Sequence, residues 1–191
     1  LKRGMRVQPL QISSWVAVFK NPILLCIMAV TLLSMSGQFT VVSYLAPILR
    51  EAFAATPRGI ALMFGIFGVA GVLGNYLATK AIGRFGVDRA ILVALCFLLA
   101  GLGMFGVFFG NYILGCIACF IWGLGTFSSN SMQQSRLVGI APTLAAATVA
   151  LNTSAVYLGQ SVGAATGGLA IKNSISANSA WIAVGFLVLA V

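Results

Sequence analysis

The side chains that commonly carry out catalysis are scarce in this sequence and are not grouped. The sequence has no histidine, and its only carboxylates are Glu51 and Asp88. Ser-His-Asp and Cys-His catalytic sites, and metal centres that contain histidine, are therefore excluded within this chain. General acid–base catalysis inside a membrane would also need histidine or paired carboxylates. We predict that the chain is not an enzyme and that it binds no metal or other cofactor.

Four cysteines are the remaining reactive side chains: Cys26, Cys96, Cys116 and Cys119. The last two form a C-x-x-C pattern, which in a cytosolic α/β protein can indicate redox or metal chemistry. Here the pattern lies within the apolar run 113–121, and no second pair accompanies it. Because a buried cysteine behaves as a small hydrophobic side chain, we interpret both residues as packing residues.

The composition predicts that these residues are carried by helices that cross a lipid bilayer. Hydrophobic residues make up 60% of the sequence and charged residues only 7%, whereas soluble domains contain about 25% charged residues. Six apolar runs are separated by short polar segments, over residues 22–46, 59–81, 90–109, 112–134, 143–171 and 178–191. The first five reach the length of about 20 residues that a bilayer core needs, and we expect the sixth to be truncated. The predicted fold class is an all-α polytopic membrane protein with six transmembrane helices.

The first 21 residues differ from the rest. Ile12, Trp15, Val16 and Phe19 recur at helical spacing beside Lys20, which is typical of an amphipathic helix at a membrane surface. We therefore divide the chain into a cytoplasmic linker with an amphipathic helix, 1–21, and a transmembrane domain, 22–191. Since the chain starts without methionine and ends inside an apolar run, we expect both ends to be cut from a longer protein.

Lysine and arginine are sorted between alternate connections, which predicts the topology. One set of connections carries eight of them and the other three; the eight are Lys2, Arg3, Arg6, Lys20, Lys80, Arg84, Arg89 and Arg136. Because positive residues stay on the cytoplasmic side, the N-terminus of this chain is predicted to be cytoplasmic, in a plasma membrane such as the bacterial inner membrane. Topology accounts for the net charge of +9, and no nucleic-acid partner is predicted.

The fifth run combines a glycine stripe with a polar stripe. Gly159, Gly163 and Gly167 are each four residues apart, so they share one helix face and allow a neighbouring helix to approach closely. Asn152 lies on the same face two turns earlier, whereas Tyr157 lies on the opposite side with two serines. Two interpretations remain open: both stripes pack against other helices, or one packs and the other faces a water-filled cavity.

The segment 74–89 carries the motif that points to a family. A glycine-bearing helix end, a short basic turn and an immediate new span resemble the signature loop of the major facilitator superfamily; the residues concerned are Gly74, Lys80, Gly83, Arg84, Asp88 and Arg89. The stretch from Pro142 through Asn152 and Tyr157 to Gly168 is similar to the eleventh helix of the drug:proton antiporter branch, including its sugar-efflux-like members. The resemblance implies that the six runs form the C-terminal half of a major facilitator fold, with the N-terminal six-helix half of the same polypeptide as its partner.

The loop departs from the family pattern at one position. Thr79 precedes Lys80 where the family usually has an acidic residue, which puts a charge-relay role in doubt. We expect Asp88 to pair with Arg84 or Arg89, and a topogenic role for these charges is as compatible with the sequence as gating.

The resemblance implies secondary active transport by alternating access, with the lipid bilayer and a small-molecule substrate as further partners. The candidate cavity residues are the polar and aromatic groups within the spans: Gln38, Trp122, Asn130, Asn152 and Tyr157. Each could equally form a hydrogen bond between helices. Since no charged residue lies well inside a span, we expect efflux of a small uncharged or amphipathic molecule, with any proton coupling supplied by the missing half. The alternative is a self-contained six-span channel, or a half-transporter that works as a dimer.

Overall fold

A computed structural model describes residues 12–173 and 176–191 of the chain. Within these ranges the secondary structure is helical and contains no strand, which confirms the predicted all-α class. Two short 3-10 turns, 142–144 and 176–178, accompany the α-helices. The α-helices are α1 Ile12–Phe19, α2 Pro22–Val42, α3 Leu45–Ala52, α4 Pro57–Phe85, α5 Val87–Val107, α6 Tyr112–Ile140, α7 Ala145–Lys172 and α8 Ser179–Ala190. The basic residues at positions 2, 3 and 6, on which part of the predicted topology depends, lie outside the described residues.

Three of the long helices begin at sequence signals for a helix start. Asn21 caps α2, with its Oδ1 accepting hydrogen bonds from the backbone N–H of Ile23 at 3.0 Å and of Leu24 at 3.3 Å. The Thr56 hydroxyl caps α4, and the Asn111 side chain caps α6. These side chains satisfy backbone donors that have no partner in the first turn of a helix.

The first predicted span is wrong at its end. It was expected to run from residue 22 to residue 46 and to stop at Pro47, but α2 ends at Val42 and Pro47 lies in the first turn of the separate helix α3. Proline is tolerated there because the first N–H groups of a helix have no intrahelical acceptor. α4 and α6 each contain 29 residues and extend past the apolar runs 59–81 and 112–134, since a helix can continue through polar residues beyond the hydrocarbon.

α4 and α5 are joined by a single residue, Gly86. Its φ is +82°, and its N–H donates to the Ile82 carbonyl at 3.0 Å, which closes the last turn of α4. A residue with a Cβ is strained at this φ. Gly86 therefore allows the chain to turn directly from one transmembrane helix into the next.

Six of the eight described α-helices pack as two groups of three, α2 with α7 and α8, and α6 with α4 and α5. α2 packs most extensively against α7 and α8, whereas α6 packs most extensively against α4 and α5. The two groups meet mainly where α5 lies against α8 and α6 against α7. The larger hydrophobic core contains Trp122, Leu98, Leu102 and Phe105, and a smaller one lies around Val18 of α1 and the start of α2.

The protein is a polytopic α-helical membrane protein. Among the described residues, α2, α4, α5 and α6 are long and apolar enough to cross a bilayer. α7, with 28 residues, is also long enough, but its polar residues lower its mean hydropathy. α8 has 12 residues and a length of about 18 Å at about 1.5 Å per residue. Large apolar side chains such as Leu62, Val72 and Ile113 are exposed on the outer surface, where lipid is their natural solvent.

Candidate functional site

Uncharged polar side chains collect at the boundary between the two helix groups. Thr31 and Ser34 of α2 share one cavity there with Ser129, Asn130 and Gln133 of α6. Gln38 lies one turn after Ser34 on α2 and donates to the Ser34 carbonyl, and Asn152 of α7 lies against Thr31. These seven residues are called the polar seam below. Except for Asn130, which is partly exposed, each is at most 3% exposed. Polar groups within a membrane protein face protein or water rather than lipid, which accounts for their position between the groups.

One hydrogen bond of the polar seam joins two helices directly. The Thr31 hydroxyl lies 2.8 Å from Oδ1 of Asn152 and 3.2 Å from the backbone carbonyl of Ile27. Asn152, which is completely buried, therefore faces α2. The contact fixes α7 against α2 at the level of the polar seam.

The other hydroxyl groups donate to carbonyls of their own helices. Ser34 donates to Val30 at 2.7 Å, and Ser129 donates to Thr126 at 3.0 Å. With their hydrogens used in this way, these oxygens are available only as acceptors.

The amide side chains of the polar seam leave buried atoms without a partner. Among the described residues, Oε1 of Gln38, Oδ1 of Asn130, Oε1 of Gln133 and Nδ2 of Asn152 are buried and make no hydrogen bond. A buried polar group without a partner costs about 1–3 kcal/mol. Two of these amides line a small cavity with about 10 Å³ of space for water, which is the least that one water molecule needs; its lining residues are Thr31, Ser34, Met35, Leu95, Ser129, Asn130 and Gln133. The arrangement can therefore accept hydrogen bonds from, and donate them to, an uncharged polar group.

The structure separates Trp122 from the polar seam. Trp122 is fully buried in the α4–α6 core, and its ring lies edge-on to Phe67 with 5.0 Å between the centroids. The backbone of Trp122 also contacts Gly101 of α5, where a Cβ would come closer than 3.0 Å. Its Nε1 has no partner among the described residues. The Cys119 thiol is free and buried in the same core.

Tyr157 is not part of the polar seam either. Its side chain is 63% exposed, on the side of α7 away from Asn152. Ser154 and Ser161, which share that side, are also exposed. The two stripes of α7 therefore face different surroundings, one against α2 and one outward.

The glycines of α7 lie directly against α2. A Cβ on Gly159, Gly163 or Gly167 would come closer than 3.0 Å to a backbone carbonyl oxygen of α2. The carbonyls belong to Leu32 and to residues 36 and 40, one turn apart. The absence of side chains allows the two backbones to approach closely along two turns of helix.

Except for Gly74, which lies within α4, the residues of the signature-like loop lie near the end of α4 or at the start of α5 rather than in a loop. Lys80 and Arg84 are exposed, with cationic groups 4.6 Å above the Tyr76 ring and 5.2 Å above the Phe85 ring, respectively. Gly83 and Arg89 are also exposed. Gly74 lies against the Leu124 carbonyl of α6, so it is a packing residue within α4.

The expected pairing of Asp88 with Arg84 or Arg89 is wrong. Oδ1 of Asp88 lies 2.8 Å from Nε of Arg136, which comes from the last turns of α6. The contact is an ion pair without an aligned hydrogen bond at Nε. Because α5 and α6 pack along their length, the start of α5 and the end of α6 meet at the same end of the bundle, whereas Arg89 follows Asp88 on a different face of α5.

Sequence reasoning did not select Thr31, Ser34, Gln133 or Arg136 as site residues. Thr31 and Ser34 precede Gln38 by seven and four residues, so a helical projection of α2 would have placed these three residues on one face. Gln133 follows Asn130 by three residues on α6 in the same way. Arg136 was interpreted only as a topology signal, because its ion-pair partner is distant in sequence.

Comparison with known proteins gives one consistent result. The family model described as Major Facilitator Superfamily matches residues 2–164. The inner membrane transport protein YdhP of Escherichia coli is 28% identical over 173 residues, which cover 90% of this chain and 43% of that protein. A probable sugar efflux transporter of Helicobacter acinonychis is 29% identical over 84% of this chain and 41% of its own length. The uncharacterized MFS-type transporter YfhI of Bacillus subtilis is 26% identical over 90% of this chain and 43% of its own length. The chain spans about two fifths of the length of the curated relatives it matches.

Proposed function

This chain belongs to the Major Facilitator Superfamily, and we propose that it is the C-terminal six-helix half of a transporter that exports a small uncharged or amphipathic molecule. The resemblance of the stretch 142–168 to the family's eleventh helix, taken together with the loop-like segment 74–89, supports its assignment to the C-terminal half. The share of each relative that the chain covers agrees with half of a two-part protein. The name of the Helicobacter relative, a probable sugar efflux transporter, supports export rather than uptake. Such transporters expose a site between two halves alternately to either side of the membrane.

The observation that carries the proposal is the set of unpaired amide groups in the polar seam. Gln38, Asn130 and Gln133 present buried oxygens without donors, and no charged side chain lines the cavity that Asn130 and Gln133 share. Groups of this kind bind hydroxyl and amide groups rather than ions, because a buried charge needs an opposite charge nearby. The substrate class favoured by the seam is therefore uncharged and able to form hydrogen bonds.

Proton coupling is assigned to groups outside this chain. Coupling requires a side chain that gains and loses a proton within the membrane. Among the described residues, the carboxylates Glu51 and Asp88 are both exposed and lie near helix ends. The sorted cations support a cytoplasmic position for the start of this chain, and the name of the Escherichia coli relative, an inner membrane transport protein, supports a bacterial inner membrane as the location.

The proposal is tested with the intact protein in proteoliposomes, by following export of labelled sugars with and without a pH gradient. Asn130→Leu removes one unpaired amide, and we expect export to fall about five-fold, since a hydrogen bond to a neutral group contributes about 1 kcal/mol. Ser131→Ala is the matched control, because Ser131 is the next residue of α6 but is exposed and bonds only within its own helix. Equal export by the two variants, at equal protein content, would exclude Asn130 from the substrate site. Absence of export by the wild-type protein for every uncharged substrate would contradict the proposed function itself.

A further inference from the structure

A narrow groove separates α4 from α5 on the surface of the bundle. Each of these two helices packs more extensively against α6 than against the other, so they diverge and α6 forms the floor between them. The groove has a volume of about 80 Å³ and shares no lining residue with the cavity of the polar seam. Because all three helices are described from end to end, its walls and floor are complete.

Small side chains make room for the groove. On each wall the lining lies within eight residues, 74–81 of α4 and 90–97 of α5, which is a length of about 10 Å at about 1.5 Å per residue. Four of the lining residues are alanines: Ala78, Ala81, Ala90 and Ala94. The groove therefore begins near the ends of the two helices and extends into the hydrocarbon, the direction in which a lipid chain lies.

Two arginines lie at the end of the groove nearest to Gly86. Arg84 follows the lining residue Leu77 by seven residues, and Arg89 precedes the lining residue Val93 by four. At these spacings each arginine shares a helix face with one rim of the groove. Leu77 and Val93 are each 54% exposed, and both arginines are exposed as well. The groove thus combines apolar rims with two cations at the level of the headgroups.

The two arginines are available to an anion from outside the chain. Of the two carboxylates in the sequence, Asp88 lies 2.8 Å from Arg136, and Glu51 belongs to α3, next to the opposite end of α4. Neither carboxylate therefore neutralises Arg84 or Arg89. Guanidinium groups bind phosphate oxygens through pairs of N–H donors.

We propose that one phospholipid with an anionic headgroup binds at this groove. One acyl chain lies between α4 and α5 along the alanines, and the phosphate is bound by Arg84 and Arg89. Charge complementarity favours an anionic lipid over a zwitterionic one, since basic residues at the end of a transmembrane helix attract anionic headgroups. The inference concerns lipid binding alone and does not depend on the direction or the substrate of transport.

The test titrates the intact protein, in an uncharged maltoside detergent, with phosphatidylglycerol or with phosphatidylcholine of the same acyl chains. Native mass spectrometry gives the affinity for the first lipid bound. We expect Arg84→Ala and Arg89→Ala each to weaken phosphatidylglycerol binding about five-fold, the change that corresponds to about 1 kcal/mol for one basic residue, and to leave phosphatidylcholine binding unchanged. Arg58→Ala is the matched control, because Arg58 is exposed at the opposite end of the same helix, and it should change neither affinity.

A second pair of variants tests whether an acyl chain occupies the groove. Ala81→Leu fills the groove beside the arginines and keeps both charges, so it should weaken the binding of both lipids. Ala61→Leu makes the same change at an exposed residue of α4 that does not line the groove, and it should have no effect.

Four results would each overturn the proposal. They are equal affinities of the wild type for both lipids, unchanged phosphatidylglycerol binding in the two arginine variants, equal lipid binding by Ala81→Leu and Ala61→Leu, and an affinity for glycerol 3-phosphate as high as that for phosphatidylglycerol. The last result would show a site for a free phosphate ester instead of a lipid.

Discussion

Substitution of Gly163 by alanine tests whether contact between the α7 and α2 backbones holds this half of the protein together. In the folded protein a Cβ at this position would meet the Ser36 carbonyl oxygen and would lie 2.9 Å from the Cβ of Phe39. Neither atom belongs to the end of a flexible side chain. The two helices would therefore have to move apart, and the neighbouring contacts at Gly159 and Gly167 would loosen with them.

The expected magnitude is the difference between two opposing effects. Overpacking of a tightly packed site costs about 1–3 kcal/mol. Alanine gains up to about 1 kcal/mol over glycine in a helix, by its higher helix propensity. The free energy of unfolding of Gly163→Ala should therefore fall by about 0–2 kcal/mol relative to the wild type.

A matched control separates the two effects. Gly185 lies in α8, and an added Cβ there would meet no atom within 4 Å, so Gly185→Ala should show only the gain in helix propensity. The assay is unfolding of the purified protein in mixed micelles with increasing SDS, followed by circular dichroism. We expect Gly163→Ala to be less stable than Gly185→Ala by about 1–3 kcal/mol, the overpacking cost alone. Equal stability of the two variants would refute the close contact between α7 and α2.

Three further predictions use the same unfolding assay. Gly86→Ala should destabilise by about 1–3 kcal/mol, because its φ of +82° and ψ of 162° lie in a region that only glycine adopts readily. Gly83→Ala, at a helical position with no atom nearby, should be neutral or stabilising, and equal effects of the two substitutions would contradict the one-residue turn. Asn152→Ala should cost about 1 kcal/mol, because the 2.8 Å hydrogen bond from Thr31 is lost while the Thr31 hydroxyl can still donate to the Ile27 carbonyl, and a variant at least as stable as the wild type would contradict a stabilising contact between α7 and α2. Asp88→Asn should change the stability by less than about 1 kcal/mol because the Asp88 side chain is 71% exposed and water screens its charge, and a larger loss would mean that the partly buried Arg136 depends on this carboxylate.

The sequence predicted the location of the long helices well, because hydropathy determines it. It predicted the ends and breaks of helices less well, because these depend on packing. The apolar runs located the long helices because only a helix satisfies its own backbone within lipid. The break between α2 and α3 was missed, since residues 43 and 44 carry no signal for a helix end and Pro47 suggested a later one. Helix ends outside the hydrocarbon, such as that of α6 at Ile140, depend on local contacts that composition does not report.

The polar seam was predictable in part. Asn152 was placed on the glycine face of α7 from its spacing alone, and it lies on the face that contacts α2. The partner of Asp88 could not be found in this way, because Arg136 follows it by 48 residues and approaches only when α5 and α6 pack. Trp122 and Tyr157 could not be placed from residue type either. Their types suggested a common site, but Trp122 lies on a helix face that is buried in the core and Tyr157 on a face at the surface.

The grouping of the helices has a consequence for how the chain is assembled during synthesis. α4, α5 and α6 follow one another along the chain and can pack against each other as soon as each emerges. α2 has no such neighbour, because its contact between Thr31 and Asn152 joins residues 121 positions apart. At roughly 5–20 residues per second, α2 must remain in the bilayer for roughly 6–24 s before α7 arrives. During that interval the polar side chains of α2 that are buried in the folded protein, Thr31, Ser34 and Gln38, face lipid or a protein of the insertion machinery. Quality control of assembly can therefore act most readily on this helix.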